Sequence, residues 1–159
     1  VLDVWAYQTQ LALVRAVARA VPELTVVVDH CGGPLGVGPF AGRPAAGFAA
    51  WRAEVRALAE LPNVAMKLGG LAMEVGGFAF HERPAPPGSR ELAEAWRPHV
   101  ETCIEAFGAL HVRGQFPGGQ GDGVLRGAVE RLQAPRRRGG GGGTGGPVPR
   151  HGSAHLWHL

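Results

Sequence analysis

Leu24–Gly36 reads LTVVVDHCGGPLG, and its first half decides the fold. Thr25 to Val28 is a run of β-branched residues, the composition of a strand covered on both faces. Such a strand belongs to a parallel sheet with helices packed on it. The run closes on Asp29, His30 and Cys31 and then enters Gly32-Gly33-Pro34. A carboxylate and an imidazole at the exit of an apolar strand are not packing residues, so this exit is the first place to look for a site.

Working outward from that strand, the same alternation of elements appears on both sides. Val1–Tyr7 (VLDVWAY) alternates and is rich in strand formers. Gln10–Val21 carries Leu11, Val14, Val17, Ala18 and Val21 at helical spacing. After the Gly/Pro loop from Gly32 to Pro44, Phe48, Trp51, Val55 and Leu58 mark one face of a second helix. Pro62-Asn63 ends it, and Val64–Leu68 (VAMKL) reads as a third strand. A long loop with Gly76, Gly77, Pro84, Pro86 and Pro87 leads to Ser89, the expected N-cap of a helix carrying Leu92 and Trp96. Pro98 is expected to break or restart that helix, which Val100, Ile104 and Phe107 continue. The order β-α-β-α-β-α builds a parallel sheet, either open or closed as a barrel. In both architectures sites gather at the carboxyl ends of the strands. The unusual residues of this chain sit there, in Tyr7–Gln10, His30–Gly33 and Lys67–Gly70.

Composition narrows the function classes. The chain has 159 residues and 45% apolar content, as a globular domain does. No unbroken apolar stretch reaches the ~18 residues of a membrane span, and the start carries no signal-peptide pattern. Cys31 and Cys103 are the only cysteines, which makes no disulfide framework and fits a reducing cytoplasm. The net charge of +3 is unevenly spread. Up to Ala109, eleven acidic residues face eight Arg and one Lys; from Leu110 on, seven Arg face Asp122 and Glu130 alone. The basic character therefore belongs to the C-terminal segment, and the body is a slightly acidic domain.

Each candidate has a chemical and a structural reading. His30 could be a metal ligand, a general base or a proton donor to a carbonyl, or it could tie down the loop backbone. Asp29 is read as capping the loop or pairing with an arginine, and Cys31 as a small buried residue. By alternation His30 shares a strand face with Val26 and Val28. Lys67 is the only lysine. Burial at a strand end would lower its pKa and suit it to act on a substrate; alternatively its stem packs and its ammonium reaches solvent. His81-Glu82-Arg83 either closes over a substrate carboxylate or forms a solvated salt bridge. Gly36-x-Gly38-x-x-x-Gly42 has the wrong spacing for a dinucleotide loop.

Three stretches together resemble the amidohydrolase-related (type 2) family. They are Asp3-Val-Trp-x-Tyr-x-x-Gln10-Leu11, then Pro22-Glu-Leu-Thr-Val-Val-Val-Asp29-His30-Cys-Gly-Gly-Pro34, then Pro62-Asn63-Val-x-x-Lys67-Leu68-x-Gly70-Leu71. The resemblance implies a (β/α)8 TIM barrel of which Val1–Ala109 supplies the fifth, sixth and seventh strands with their helices, that is, only the C-terminal half. It is nearest to the lactonase branch. It implies that His30 is catalytic, polarising the scissile ester carbonyl, with Lys67, Tyr7 and Gln10 at the same barrel mouth; the loop reading adds His81 and Arg83 as substrate contacts. It also implies a divalent metal such as zinc in many relatives and none in some lactonases. His30 is the only candidate ligand here, since Gln8 and Thr9 stand where many relatives have a histidine. The first-strand His-x-His lies outside this sequence.

From Leu110 the pattern stops: no eighth strand is expected, and the five-glycine run before Thr144 holds no packed element. Leu110–Gly121, written in permitted codons and read one nucleotide later, becomes similar to the family's eighth-strand motif. His151–Leu159 again resembles its C-terminal helix. The expected organisation is a partial barrel domain over 1–109, an out-of-frame, disordered Gly/Arg-rich segment over 110–150 and a helix remnant over 151–159.

The expected activity is hydrolysis of a lactone or other cyclic ester, a small-molecule substrate, in the cytoplasm. The chain begins within a strand, so it is expected to be a piece of something longer, inactive without the N-terminal half of the barrel. The alternative is a non-enzymatic fragment, or a binding module whose basic tail contacts nucleic acid. The absence of repeated Arg-Gly-Gly units and interleaved aromatics counts against the tail as a nucleic-acid binder.

Overall fold

In the computed structural model, residues 1–108 and the strand 112–114 are described. Four strands, β1 (Leu2–Val4), β2 (Val26–Val28), β3 (Val64–Leu68) and β4 (Val112–Gly114), form one sheet in the order β1-β2-β3-β4. All neighbours are parallel, with Leu2 opposite Val26, Val26 opposite Val64, and Lys67 opposite Arg113. Helices α1 (Leu11–Ala20), α2 (Pro44–Ala59) and α3 (Ser89–Phe107) make the crossovers. This is the α/β order read from the sequence, with one correction. A short strand does follow α3, at Val112–Gly114, where none was expected. The edge of β3 offers a row of unpaired backbone groups, and three extended residues suffice to pair with it whatever their composition.

Parity along the strands divides the sheet into two faces. Val26, Val28, Val64, Met66 and Leu68 belong to the main core, with Leu11, Val14 and Ala18 of α1, Trp51, Val55 and Leu58 of α2, and Trp96, Val100, Cys103 and Phe107 of α3. Trp51, Leu11 and Leu58 are completely buried, and each contributes roughly 1.5–3 kcal/mol of transfer free energy. Asp3, Val27, Ala65 and Lys67 occupy the alternate positions and face the other way.

Three details depart from the sequence reading. Val17 does not join the buried stripe of α1 but is 46% exposed beside Leu13. Ser89 is the first residue of α3, while Gly88, with φ −73° and ψ 159°, takes the N-cap position and accepts from the Leu92 N–H at 3.1 Å. Pro98 neither breaks nor restarts α3, which runs through it. Its missing N–H falls on the exposed side, where water can serve the freed carbonyl of Glu94. The buried residues Trp96, Val100, Cys103 and Phe107 hold the helix to the core on the other side. No described helix is long and apolar enough to cross a membrane.

Candidate active site

Because the sheet is parallel, the carboxyl ends of β1, β2 and β3 lie at one end of the molecule, and the loops leaving them meet there. The Gln8 N–H donates to the Gly33 carbonyl at 2.9 Å, while its side-chain Oε1 accepts from the Leu35 N–H at 2.9 Å. The Gly36 N–H donates to the Val75 carbonyl at 2.8 Å. The three loops are thus tied to one another through backbone groups that would otherwise be unpaired.

His30 stands at the exit of β2 in an unusual backbone. His30, Cys31, Gly32 and Gly33 have φ of 55°, 55°, 68° and 52°, four successive residues in the left-handed region. For His30 and Cys31 this conformation costs of order 1–3 kcal/mol each. The turn also ends the strand alternation, so His30 does not continue the face of Val26 and Val28 as its parity suggested. Its ring lies edge-on to Trp5, with centroids 6.1 Å apart. A Cβ at Gly70 would come within 2.5 Å of His30 Cβ and Cγ, so only glycine fits beneath the imidazole. The buried Nδ1 of His30 has no hydrogen-bond partner among the described residues.

Lys67 lies beside this turn on the face opposite the helices. Its Nζ is 2.9 Å from Asp3 Oδ1 and 3.0 Å from Asp29 Oδ1. The Asp3 carboxylate, and after it that of Asp29, hold the ammonium above its ordinary pKa, outweighing the desolvation that pushes the other way. This corrects the expectation of a lysine with a lowered pKa. Lys67 is a fixed cation, able to orient a polar or anionic group but not to take up a proton. Nor does its ammonium simply reach solvent, because two carboxylates bracket it. Asp29 does pair with a basic residue, and the residue is Lys67, not an arginine.

The remaining candidates separate into two groups. The Tyr7 ring is edge-on to Trp5 at 5.4 Å, which places it on the same aromatic wall as His30. Gln10 spends its Oε1 on the Tyr7 N–H at 3.0 Å, so it shapes the turn after β1. His81 and Arg83 have their polar partners elsewhere. His81 Nε2 is 3.8 Å from Glu82 Oε1, Arg83 pairs with Glu91 of α3, and the Arg83 guanidinium lies 5.0 Å from the Phe80 ring centre. The solvated salt-bridge reading of that loop is the one seen. Cys31 is completely buried, as expected, against Cys103.

Asp3, Trp5 and Gly70 stand in the motifs quoted from the sequence but were given no role there, although same-face parity of Asp3 on the first strand and Lys67 on the third was the available signal. Among the described residues no three His, Cys, Asp or Glu side chains converge as a metal site. These residues by themselves do not fit a bound ion, and no step is assigned to one.

Known proteins place this geometry in a family. The amidohydrolase family model matches residues 1–112. The chain is 31% identical over 106 residues to the uncharacterised protein y4mH of Sinorhizobium fredii and 33% identical over 106 residues to an L-fucono-1,5-lactonase of Burkholderia multivorans. Each alignment covers 67% of this chain but only 29% and 31% of the relative, so the chain spans under a third of these curated proteins. Two crystal structures of a Burkholderia multivorans amidohydrolase, one with bound zinc and one with bound HEPES, superpose with TM-scores of 0.63 and 0.64 at 26% identity. They cover 82% of this chain and 43% and 44% of the amidohydrolase. With residues 1–112 matched by its model, the chain belongs to the amidohydrolase family, whose chemistry is hydrolysis.

Proposed function

We propose that this chain is the C-terminal part of a (β/α)8 hydrolase that opens a lactone or another cyclic ester. The observation that carries the reading is His30, an imidazole turned out of a strand end by a strained turn, beside a cation fixed between two carboxylates. Backbone outliers concentrate at functional sites, and carboxyl-end histidines of parallel strands are placed for acid–base work. In the reaction, water oxygen bonds to the ester carbonyl carbon and the ring C–O bond breaks. One water proton passes to the departing alkoxide oxygen, and the product is a hydroxy acid. His30 polarises the carbonyl, Lys67 orients the polar substrate, and Trp5 and Tyr7 form its wall. The base that activates water comes from strands outside the described residues. The zinc in the Burkholderia amidohydrolase supports a metal in the complete enzyme, to which His30 would be this chain's contribution.

The reading includes a partner, the N-terminal half of the barrel. The outer edge of β1 has no strand beside it among the described residues. A groove of about 270 Å³ runs along it, lined by Leu2, Val4, Trp5, Leu13, Val17 and neighbours. Leu2, Trp5, Leu13 and Val17 are 39–69% exposed, a contiguous apolar strip of the kind a further strand and helix cover. The superposed amidohydrolase has more than half of its length outside the matched region, which is the material such a docking needs.

The test is lactone hydrolysis by a protein in which four further β/α units precede Val1. His30→Ala in that protein should lower kcat/KM by roughly 100-fold or more. Equal rates for the two proteins would remove His30 from the mechanism. This chain without those units should give no turnover; activity on its own would overturn the need for the partner half. RNA binding with a steep salt dependence, lost on removing residues 110–159, would favour a binding module instead.

A further inference from the structure

The left-handed turn that presents His30 is held by two hydrogen bonds of its own and by one from outside it, donated by a core side chain. The Gly32 N–H donates to the Asp29 carbonyl and the Gly33 N–H to the His30 carbonyl, both at 3.0 Å. The first of these also bears on the Cys31 carbonyl, which lies in the same planar peptide as the Gly32 N–H and points the opposite way. That carbonyl is directed into the core, where the indole Nε1–H of Trp51 donates to it at 2.8 Å across a sequence separation of 20 residues. Trp51, on α2, is completely buried, and so is Cys31. The rings of Phe48 and His99 pack against the indole, with centroids at 5.3 and 4.7 Å. Together they hold the donor in place.

We propose that Trp51 is a positioning residue for His30: its indole N–H fixes the Cys31 carbonyl, and thereby keeps His30 in the left-handed conformation against Gly70 and Trp5. Three facts support the assignment. A left-handed non-glycine residue persists only where its surroundings over-determine it. The Trp51 indole reaches the backbone of this turn from α2, while Cys103 of α3 meets the Cys31 side chain. Rotating the Cys31–Gly32 peptide away would break the Gly32–Asp29 bond and leave both the Cys31 carbonyl and the indole N–H unpaired in the core, so the Trp51 bond adds to the cost that locks the arrangement. The inference deepens the hydrolase reading but does not depend on turnover for its test.

The test uses the present chain, with histidine and glycine isotopically labelled. Nuclear Overhauser effects from the His30 ring to the Gly70 Hα and to the Trp5 ring are read in the parent and in Trp51→Phe, which keeps an aromatic ring and removes the donor. The expected result is at least a twofold loss of both signals, with a changed imidazole 15N spectrum, while the His81 signals stay in place. Should Trp51→Phe fail to fold, site-specific replacement of Trp51 by 3-benzothienylalanine removes the N–H at nearly constant shape and gives the same readout. Asn63→Ala, which weakens the opposite end of the sheet, should leave the His30 contacts unchanged. Unaltered contacts and spectrum in a folded variant lacking the N–H would overturn the proposal. In the protein carrying the four preceding units, the same variant should lower kcat about tenfold with KM little changed. If that protein does not hydrolyse lactones at all, the hydrolase reading fails while the spectroscopic result stands.

Discussion

The imidazole of His99, on α3, sits among the rings of Phe48, Trp51 and Phe78 at centroid distances of 5.1, 4.7 and 5.9 Å. Its buried Nδ1 finds no hydrogen-bond partner among the described residues. Burial disfavours the imidazolium and lowers the pKa to about 4, against 6.5 in the unfolded chain. The unfolded state therefore binds the proton first as pH falls. The stability that depends on a neutral His99 is complete above about pH 6.5 and is lost progressively as pH drops towards 4. Urea denaturation at pH 7 and pH 5 should show this as a loss of roughly 2 kcal/mol, absent in His99→Phe. No local pattern signals the effect, because the three rings lie far from His99 along the chain. Lys67 shows the same division. Being the only lysine, at a strand end, marked it out in the sequence, but its charge state follows from Asp3 and Asp29, which only the parallel register brings to it.

Elements were legible wherever periodicity was long or strong. β3 was read to the residue at Val64–Leu68, and the stripe of Trp51, Val55 and Leu58 on α2 is completely buried. What escaped was set by context: the continuity of α3 through Pro98, the pairing of β4, and the left-handed turn after β2, since dihedral angles of a His-Cys pair leave no periodic trace. A further element-scale feature lies at the other end of the sheet. The side-chain amide of Asn63, just before β3, donates to the carbonyls of Ala18 and Leu24 at 3.0 and 2.9 Å and approaches that of Val21 at 3.4 Å. One side chain thereby satisfies the end of α1 and the approach to β2. Asn63→Ala should destabilise the fold by roughly 1–3 kcal/mol, read as a lower urea midpoint at unchanged m-value.

At the scale of the whole molecule, the apolar strip along β1 and α1 governs behaviour. Leu13→Glu places a carboxylate on a side chain that is 69% exposed, so by itself it should change stability by no more than about 0.5 kcal/mol. In a mixture with a separately made N-terminal half, the same change should abolish co-elution on gel filtration; undiminished co-elution would put the docking edge elsewhere. The order of strands and helices, and the end of the sheet where the candidate residues gather, could be read from residues 1–109 because each βα unit is local in sequence. The open edge could not be located residue by residue, since Val17 fits the buried stripe of α1 until the neighbouring elements are seen. The expected out-of-frame segment over 110–150 and the helix remnant over 151–159 lie outside the described residues apart from Val112–Gly114. The all-parallel sheet finally separates two kinds of inherited variation. Changes near Asn63, at the strand starts, would alter how much folded protein a cell retains and leave its chemistry intact. Changes of the His30 side chain, at a strand exit, would on the hydrolase reading alter chemistry more than abundance, whereas any side chain at Gly70 would collide with His30 and alter both.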